Sequence, residues 1–125
     1  THSAFQLIHN CLRANESREQ SAQTFIDLLK AEQGNFSDSY SAFQLIHSSL
    51  KSDESRAQAT QTYIDLLHAE GNSSSDAYSD YKLVNYYTQN GQARVNETQT
   101  FISLLNSEQR DTADTQRAYR LMKSH

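Results

Sequence analysis

The chain contains no proline and no tryptophan, and it has three glycines and a single cysteine among 125 residues. One cysteine excludes an internal disulfide framework and a zinc knuckle that needs two cysteines. Without proline, no residue interrupts a helix. No apolar run approaches the roughly 18 residues of a membrane span. The sequence therefore predicts no segment that crosses a membrane.

Neither charge sign has a large excess, since 15 Asp and Glu are balanced by 11 Lys and Arg to give a formal net charge of −4. This balance offers no general attraction to nucleic acid, so we expect no nucleic-acid partner. Hydrophobic residues make up 36% of the chain, below the usual share of a globular domain. The net charge is nevertheless too small to force disorder. We predict one folded domain over residues 1–125.

The most informative feature that is present is a repeat with a step of 38 residues. The heptapeptide SAFQLIH occurs at Ser3 and again at Ser41, and weaker copies begin at Ser79 and Arg117. The first two units agree at 23 of 38 positions. Repeats of about 20–50 residues are typical of stacked arrays. We predict a single helical-repeat domain in which the repeats span 3–40, 41–78 and 79–116, with a terminal helix over 117–125.

Each repeat has the pattern of two helices, because apolar residues recur at helical spacing in both halves. Phe43 and Ile46 mark one such stripe, and Tyr63 and Leu67 mark the next. The predicted fold is all-α: an α-solenoid-like array of three helical hairpins plus a terminal helix from about Thr112, seven helices in all. A closed seven-helix bundle is the alternative architecture.

Local residues indicate where these helices begin and end. Ser52, followed by two acidic residues, is expected to cap the second helix of repeat two. All three glycines are expected just past helix C-termini, where the left-handed conformation suits glycine; these are Gly34, Gly71 and Gly91.

The two-helix unit resembles tetratricopeptide repeats in size. The Leu-Gly pair, the following Tyr and the closing Pro of that pattern are absent, and the step is 38 residues instead of 34. The resemblance therefore supplies no binding residues for this chain.

No residue pattern indicates an enzyme. The five His residues include no pair at i, i+4, and Cys11 has no His nearby in sequence to activate it. Asp27 and Asp65 occupy equivalent repeat positions, whereas acid and base roles need different environments. No nucleophile elbow, phosphate loop or zinc-binding helix motif occurs. We therefore expect no catalytic residue, no cofactor and no bound metal.

Polar residues that recur in every repeat are candidates for binding a partner, since aligned polar groups on a solenoid suit extended peptides. A structural role is the alternative, in which an Arg covers apolar surface and pairs with an acid of the next layer. The predicted binding columns are Arg18, Arg56, Arg94, and Gln23, Gln61, Gln99.

Tyrosines crowd the first helix of repeat three. Tyr78 and Tyr81 fit the apolar stripe and are expected in the core, whereas Tyr86 and Tyr87 lie off it. Because exposed Tyr is enriched at interfaces, Tyr86 and Tyr87 are further binding candidates.

The chain contains four Asn-x-Ser/Thr triplets, the acceptor motif for N-glycosylation, which is more than random placement of these residues predicts. Bacteria, however, mostly do not use this motif. The chain also opens with Thr1 instead of Met, as a processed secreted protein or an excised fragment would. Localisation stays open, with a secreted or extracellular protein favoured. The candidate glycosylation sites are Asn15, Asn35, Asn72 and Asn96.

Two functional hypotheses follow. The first is a non-enzymatic protein-interaction module that presents a repeat-built helical surface to a peptide or protein partner. The second is a self-assembling structural repeat segment of a longer extracellular protein, whose partner is itself through repeat stacking. Support for the second comes from the high identity of the first two repeats.

Overall fold

The computed structural model describes residues 2–124. Within this range the chain forms the seven expected helices, and none of these residues lies in a strand. Thr1 and His125 lie outside the described residues, so the last position of the predicted terminal helix is not described. That helix begins at Thr112, as expected from the helix count and ahead of the repeat boundary at 117. The helices are α1 His2–Asn10, α2 Arg18–Ala31, α3 Phe36–Ser49, α4 Arg56–Ala69, α5 Ser74–Tyr86, α6 Gly91–Ser107 and α7 Thr112–Lys123.

The N-cap of α4 lies three residues later than the sequence predicted, and α2 is capped at the equivalent position of its own repeat. Ser17 and Ser55 accept hydrogen bonds from backbone amides at Gln20 and Gln58, at 3.1 and 3.0 Å. The expected cap, Ser52, lies in a separate turn instead. Backbone and side-chain hydrogen bonds between Lys51 and Glu54 close that turn, so the helix begins only after it.

The expectation that Gly91 follows a helix C-terminus is wrong, because Gly91 is the first residue of α6. Position 93 holds Ala where the earlier repeats have a capping Ser, so the cap moves one turn back to Asn90, whose side chain accepts from the Ala93 amide. Glycine allows a close approach of the two chain segments here. A Cβ atom added at Gly91 would lie 3.1 Å from Glu54 Cβ.

Gly34 and Gly71 do follow helix C-termini, in the left-handed conformation with φ of +83° and +65°. The third equivalent turn has no glycine. Gln109 and Arg110 adopt the same backbone conformation there, with φ of 57° and 65°. All three hairpins thus leave their second helix through the same backbone path.

The helices pack in sequence order. Within residues 2–124, extensive contacts join each helix only to its next or next-but-one neighbour: α2 packs on α4 and α4 on α6, while α3 packs on α5 and α5 on α7. No helix in this range is both long and apolar enough to cross a membrane.

Equivalent aromatic pairs lie in the core of each layer. The ring centroids of Phe25 and Phe43 are 5.7 Å apart, as are those of Tyr63 and Tyr81. The third pair, from Phe101 on α6 and Tyr119 on α7, is 5.5 Å apart. These distances suit tilted or edge-to-face packing. Each second helix is thereby joined to the first helix of the following hairpin.

Large apolar side chains are left exposed mainly at the two ends of the helix order. At one end these are Phe5 of α1 and Ile26 of α2, and at the other they are Leu121 and Met122 of α7. Their equivalents in the inner repeats are buried or half-buried. An outer helix has a neighbour on one side only, which accounts for the difference.

Candidate functional site

The predicted Arg column lies at the junctions between hairpins. The Arg56 guanidinium donates to both carboxylate oxygens of Glu16, from Nε at 2.8 Å and from Nη2 at 3.0 Å. Its Nη2 also donates to the Cys11 carbonyl at 2.6 Å, and the group lies 4.9 Å from the Phe43 ring centroid. A planar guanidinium suits this combination of bidentate pairing and stacking.

Arg94 makes equivalent contacts one repeat later, with one hydrogen bond to its carboxylate partner instead of two. Its Nε donates to Glu54 Oε2 at 2.6 Å, its Nη2 donates to the Ser49 carbonyl at 2.8 Å, and it lies 4.9 Å from the Tyr81 ring centroid. Both arginines are buried, with exposed fractions of 2% for Arg56 and 0% for Arg94. We call each of these two constellations a clamp. A partner could reach these guanidinium groups only if the hairpins separated.

A third group supports each arginine from its own hairpin. Arg56 Nη2 lies 3.4 Å from His47 Nδ1, and Arg94 Nη2 donates to Asn85 Oδ1 at 3.0 Å. Burial and the nearby Arg56 charge lower the pKa of His47. Because arginine can only donate, the His47 ring accepts through Nδ1 and carries its proton on Nε2. His47 is therefore part of a structural hydrogen bond.

Arg18 differs from the other two arginines because it is exposed. It lies 5.5 Å from the Phe5 ring centroid and 3.5 Å from His9 Nδ1. No carboxylate within residues 2–124 is close enough to form an ion pair with it. Of the predicted Arg column, only this residue is open to a partner.

A second set of hydrogen bonds joins the hairpins at their opposite ends. The Glu32 carboxylate accepts from Ser74 at 2.9 Å and from the Tyr63 hydroxyl at 3.3 Å. Thr112 donates to Glu70 at 2.6 Å in the next layer. Burial raises the pKa of Glu32. This repeating Glu at the second helix C-terminus is a contact between layers.

The predicted Gln column is exposed on the outer surface of α2, α4 and α6. Gln23 donates to Asp27, and Gln61 donates to Asp65, each at 2.9 Å within one helix. These pairs lie one turn apart, as expected for i, i+4 neighbours. The column remains accessible to a partner, although two of its amide groups are already engaged.

The tyrosine-rich helix α5 borders a surface groove against α7. The groove has a volume of about 510 Å³ and is lined by Tyr78, Lys82, Tyr86, Tyr87 and Arg120, among others. Tyr86 is 74% exposed, and its ring packs edge-on against Tyr87 at a centroid distance of 4.9 Å. The groove therefore combines an exposed aromatic surface with two cationic side chains, Lys82 and Arg120.

The remaining tyrosines of α5 separate into core and groove. Tyr81 is fully buried, as expected, and burial raises its pKa to about 12. Tyr78 is only half-buried and lies beneath Lys82, whose Nζ is 5.7 Å from the ring centroid. The core prediction therefore holds for Tyr81, and Tyr78 belongs to the groove wall.

A buried pair of carboxyl groups lies between α4, α5 and α7. Asp80 Oδ1 accepts from Gln116 Nε2 at 2.8 Å. Asp80 Oδ2 and Glu70 Oε2 are both buried and receive no hydrogen bond from a donor within residues 2–124. Burial, and then hydrogen bonding with Glu70, raises the pKa of Asp80 to about 9. The raised pKa favours the protonated form of Asp80, which can then donate a hydrogen bond to the neighbouring Glu70 carboxylate.

Metal-ligating side chains and the single cysteine were the remaining candidates for chemistry in the described part of the chain. Residues 2–124 contain no group of three or more His, Cys, Asp or Glu side chains that could hold a metal ion. Cys11 is buried and free, and burial raises the pKa of its thiol. A raised pKa lowers the thiolate fraction that nucleophilic chemistry requires.

The four candidate glycosylation asparagines are all exposed. Asn35 caps α3 through its side chain, and Asn72 has a left-handed backbone with φ of 69°. Asn15 lies in a loop and Asn96 on α6. Access for a glycan is therefore available at each, and their use remains a prediction.

Two features of this arrangement were not foreseen from the sequence. Glu16 and Glu54, the clamp acids, form a column of only two because the third position is Gln92. Asp80 replaces an alanine that occurs at positions 42 and 118. An acid where other repeats have Ala was the available signal for a special site.

Comparisons of the chain with protein-family models, with curated proteins and with solved structures return no match.

The clamp leads to a prediction that compares two arginines from the same column. Arg94→Gln should lower the free energy of unfolding by about 3 kcal/mol or more, since it leaves the Glu54 carboxylate buried without its partner. Arg18→Gln, the matched control, should change it by less than about 0.5 kcal/mol because Arg18 is exposed. Urea denaturation followed by circular dichroism measures both. Equal effects of the two substitutions would contradict the clamp.

The buried acid pair leads to a prediction about pH. The folded state holds the Asp80 proton up to about pH 9, whereas an unfolded aspartate loses its proton near pH 4. Stability should therefore fall as pH rises across this window. Asp80→Asn keeps the donor and should be more stable than the parent by about 1 kcal/mol or more at pH 8.5, with a smaller difference at pH 5.

The control for this experiment is Glu19→Gln, which removes one exposed carboxylate. Its stability difference from the parent should be the same at both pH values. A difference for Asp80→Asn that does not grow with pH would show that Asp80 is ionised in the folded protein.

Proposed function

We propose that this chain is a non-enzymatic protein-interaction module, built as an α-solenoid-like array of helical hairpins. Support for the open array comes from the packing order, in which extensive contacts join only next and next-but-one helices within residues 2–124. Neighbour-only contacts are typical of solenoids. The proposed binding surface is the groove between α5 and α7.

The observation that carries this proposal is a local break in the repeat. Gln6 and Gln44 occupy one repeat position in the first two hairpins, and Lys82 and Arg120 occupy it in the next two layers. Both cations line the groove. Neither is in an ion pair with another residue of the described range. A protein with a net charge of −4 therefore carries a small cationic surface at this one groove.

Aromatic surface accompanies the two cations. Tyr86 stands where the earlier repeats have Asn10 and Ser48, so this exposed ring is also specific to the third hairpin. Tyr87 supports it from behind, and Tyr87 itself packs on Tyr119 at a centroid distance of 5.6 Å. An exposed ring held by a half-buried neighbour is a suitable anchor for a partner.

The chemistry of the groove selects the class of partner. Two unpaired cations favour a segment with carboxylates, and the Tyr78 and Tyr86 rings favour an apolar or aromatic side chain between them. We therefore propose an acidic peptide segment with at least one large apolar side chain as the ligand. The exposed glycosylation motifs support the further proposal that binding takes place outside the cell.

A peptide array tests this proposal. The labelled 125-residue chain is applied to immobilised peptides that combine Asp or Glu with Leu or Phe, and to matched peptides with Lys in place of each acid. The acidic set should bind and the basic set should not. The double substitution Lys82→Glu and Arg120→Glu should weaken binding by at least about tenfold, because it reverses both groove charges.

Two further variants make the result specific. Tyr86→Ala should weaken binding without lowering stability, since the ring is exposed. Lys30→Glu, at an exposed position on α2, is the control for a single charge reversal away from the groove and should leave binding unchanged. The proposal fails if no acidic peptide binds, or if binding survives reversal of Lys82 and Arg120.

A further inference from the structure

The end of the molecule formed by α1 and α2 carries half of a clamp. Arg18 lies 5.5 Å from the Phe5 ring centroid and 3.5 Å from His9 Nδ1. These are the contacts that Arg56 makes inside its own hairpin with Phe43 and His47. The arginine, the ring and the imidazole are thus already arranged as in a complete clamp.

The half contributed by a preceding hairpin is missing. At the inner junctions that hairpin supplies a carboxylate and a backbone carbonyl, as Glu16 and Cys11 do for Arg56. Arg18 has no described carboxylate partner, and Phe5 is 55% exposed where Phe43 is 1% exposed. A charged group and an aromatic ring that are buried at the inner junction are therefore open to solvent here.

We propose that the α1–α2 end is a docking site for a further helical hairpin of the same 38-residue type, carrying a Glu that completes the clamp on Arg18. The spacing at the inner junctions specifies where this Glu lies. Both clamp acids precede their arginine by 40 residues, and both carbonyls precede it by 45 residues. The occupant is accordingly a hairpin on the same chain with the same spacing.

The opposite end of the repeat order shows why a second copy of this chain is a poorer fit. The third hairpin has Gln92 at the position of Glu16 and Glu54, and Gln92 is exposed. A copy stacked end to end would therefore offer Arg18 a neutral amide instead of a carboxylate. Charge complementarity favours a hairpin that carries Glu. This proposal is independent of the groove between α5 and α7.

An extended chain tests the docking site. Residues 3–40 are duplicated directly ahead of Ser3, so that the Glu of the added hairpin stands 40 residues before the original Arg18. The extended chain should melt at least about 5 °C higher than the parent, because the added layer covers Phe5 and Arg18.

The decisive comparison is between the two copies of the same arginine in the extended chain. Arg18→Gln at the original, now inner, position should lower the melting temperature by several degrees, since it leaves the added Glu without its partner. The same substitution in the added hairpin, which is now the exposed end, should change it by about 1 °C or less.

Three results would overturn the proposal. The first is an extended chain that fails to fold or melts no higher than the parent. The second is an equal effect of the inner and outer substitutions. The third is self-association of the 125-residue chain in light scattering that Arg18→Gln abolishes, since the occupant would then be a second copy.

Discussion

The arrangement of this protein depends on a buried arginine that fastens each hairpin to the one before it. The guanidinium is placed by an aromatic ring of its own hairpin, and it holds a carboxylate and a carbonyl from the loop of the preceding hairpin. A buried ion pair contributes little net stability compared with apolar packing, but it strongly penalises any register that leaves a charge unpaired. We therefore interpret the clamps as determinants of hairpin register. Polar determinants of register are expected in a chain in which only 36% of residues are hydrophobic.

Positions that are the same in successive repeats and positions that differ between them have different roles in this chain. Positions that repeat, such as the clamp arginines and the aromatic pairs, form the junctions between layers. Positions that depart from the repeat are the ones that create special environments. Lys82 and Tyr86 give the third hairpin its cationic aromatic groove, and Asp80 introduces a buried acid with a raised pKa beside Glu70.

Much of the helical framework could be predicted from the sequence, because the apolar spacing of each helix is a local property of the chain. The seven helices and the burial of Tyr81 follow from that spacing. Helix starts were less predictable, since Ser52 and Ser55 are both good caps and the choice depends on the turn closed by Glu54. The start at Gly91 depends on contact with another hairpin.

The clamps could not be derived from local pattern either, because each clamp joins residues of two different hairpins. Their partners lie 40 residues apart, and a repeated Arg has the same appearance in sequence whether it is buried or exposed. Arg18 and Arg94 occupy equivalent positions, yet only the second has a hairpin packed over it. The position of a repeat along the chain, and not its sequence, decides this difference.

A double-mutant cycle on Glu54 and Arg94 tests the central claim most directly. The free energies of unfolding of the parent, Glu54→Gln, Arg94→Gln and the double variant give the coupling between the two side chains. Our account predicts a coupling of at least about 1.5 kcal/mol, and a value within about 0.5 kcal/mol of zero for the distant pair Glu54 and Arg18. Additive effects of Glu54→Gln and Arg94→Gln would show that the buried pair does not join the hairpins, and would contradict the account.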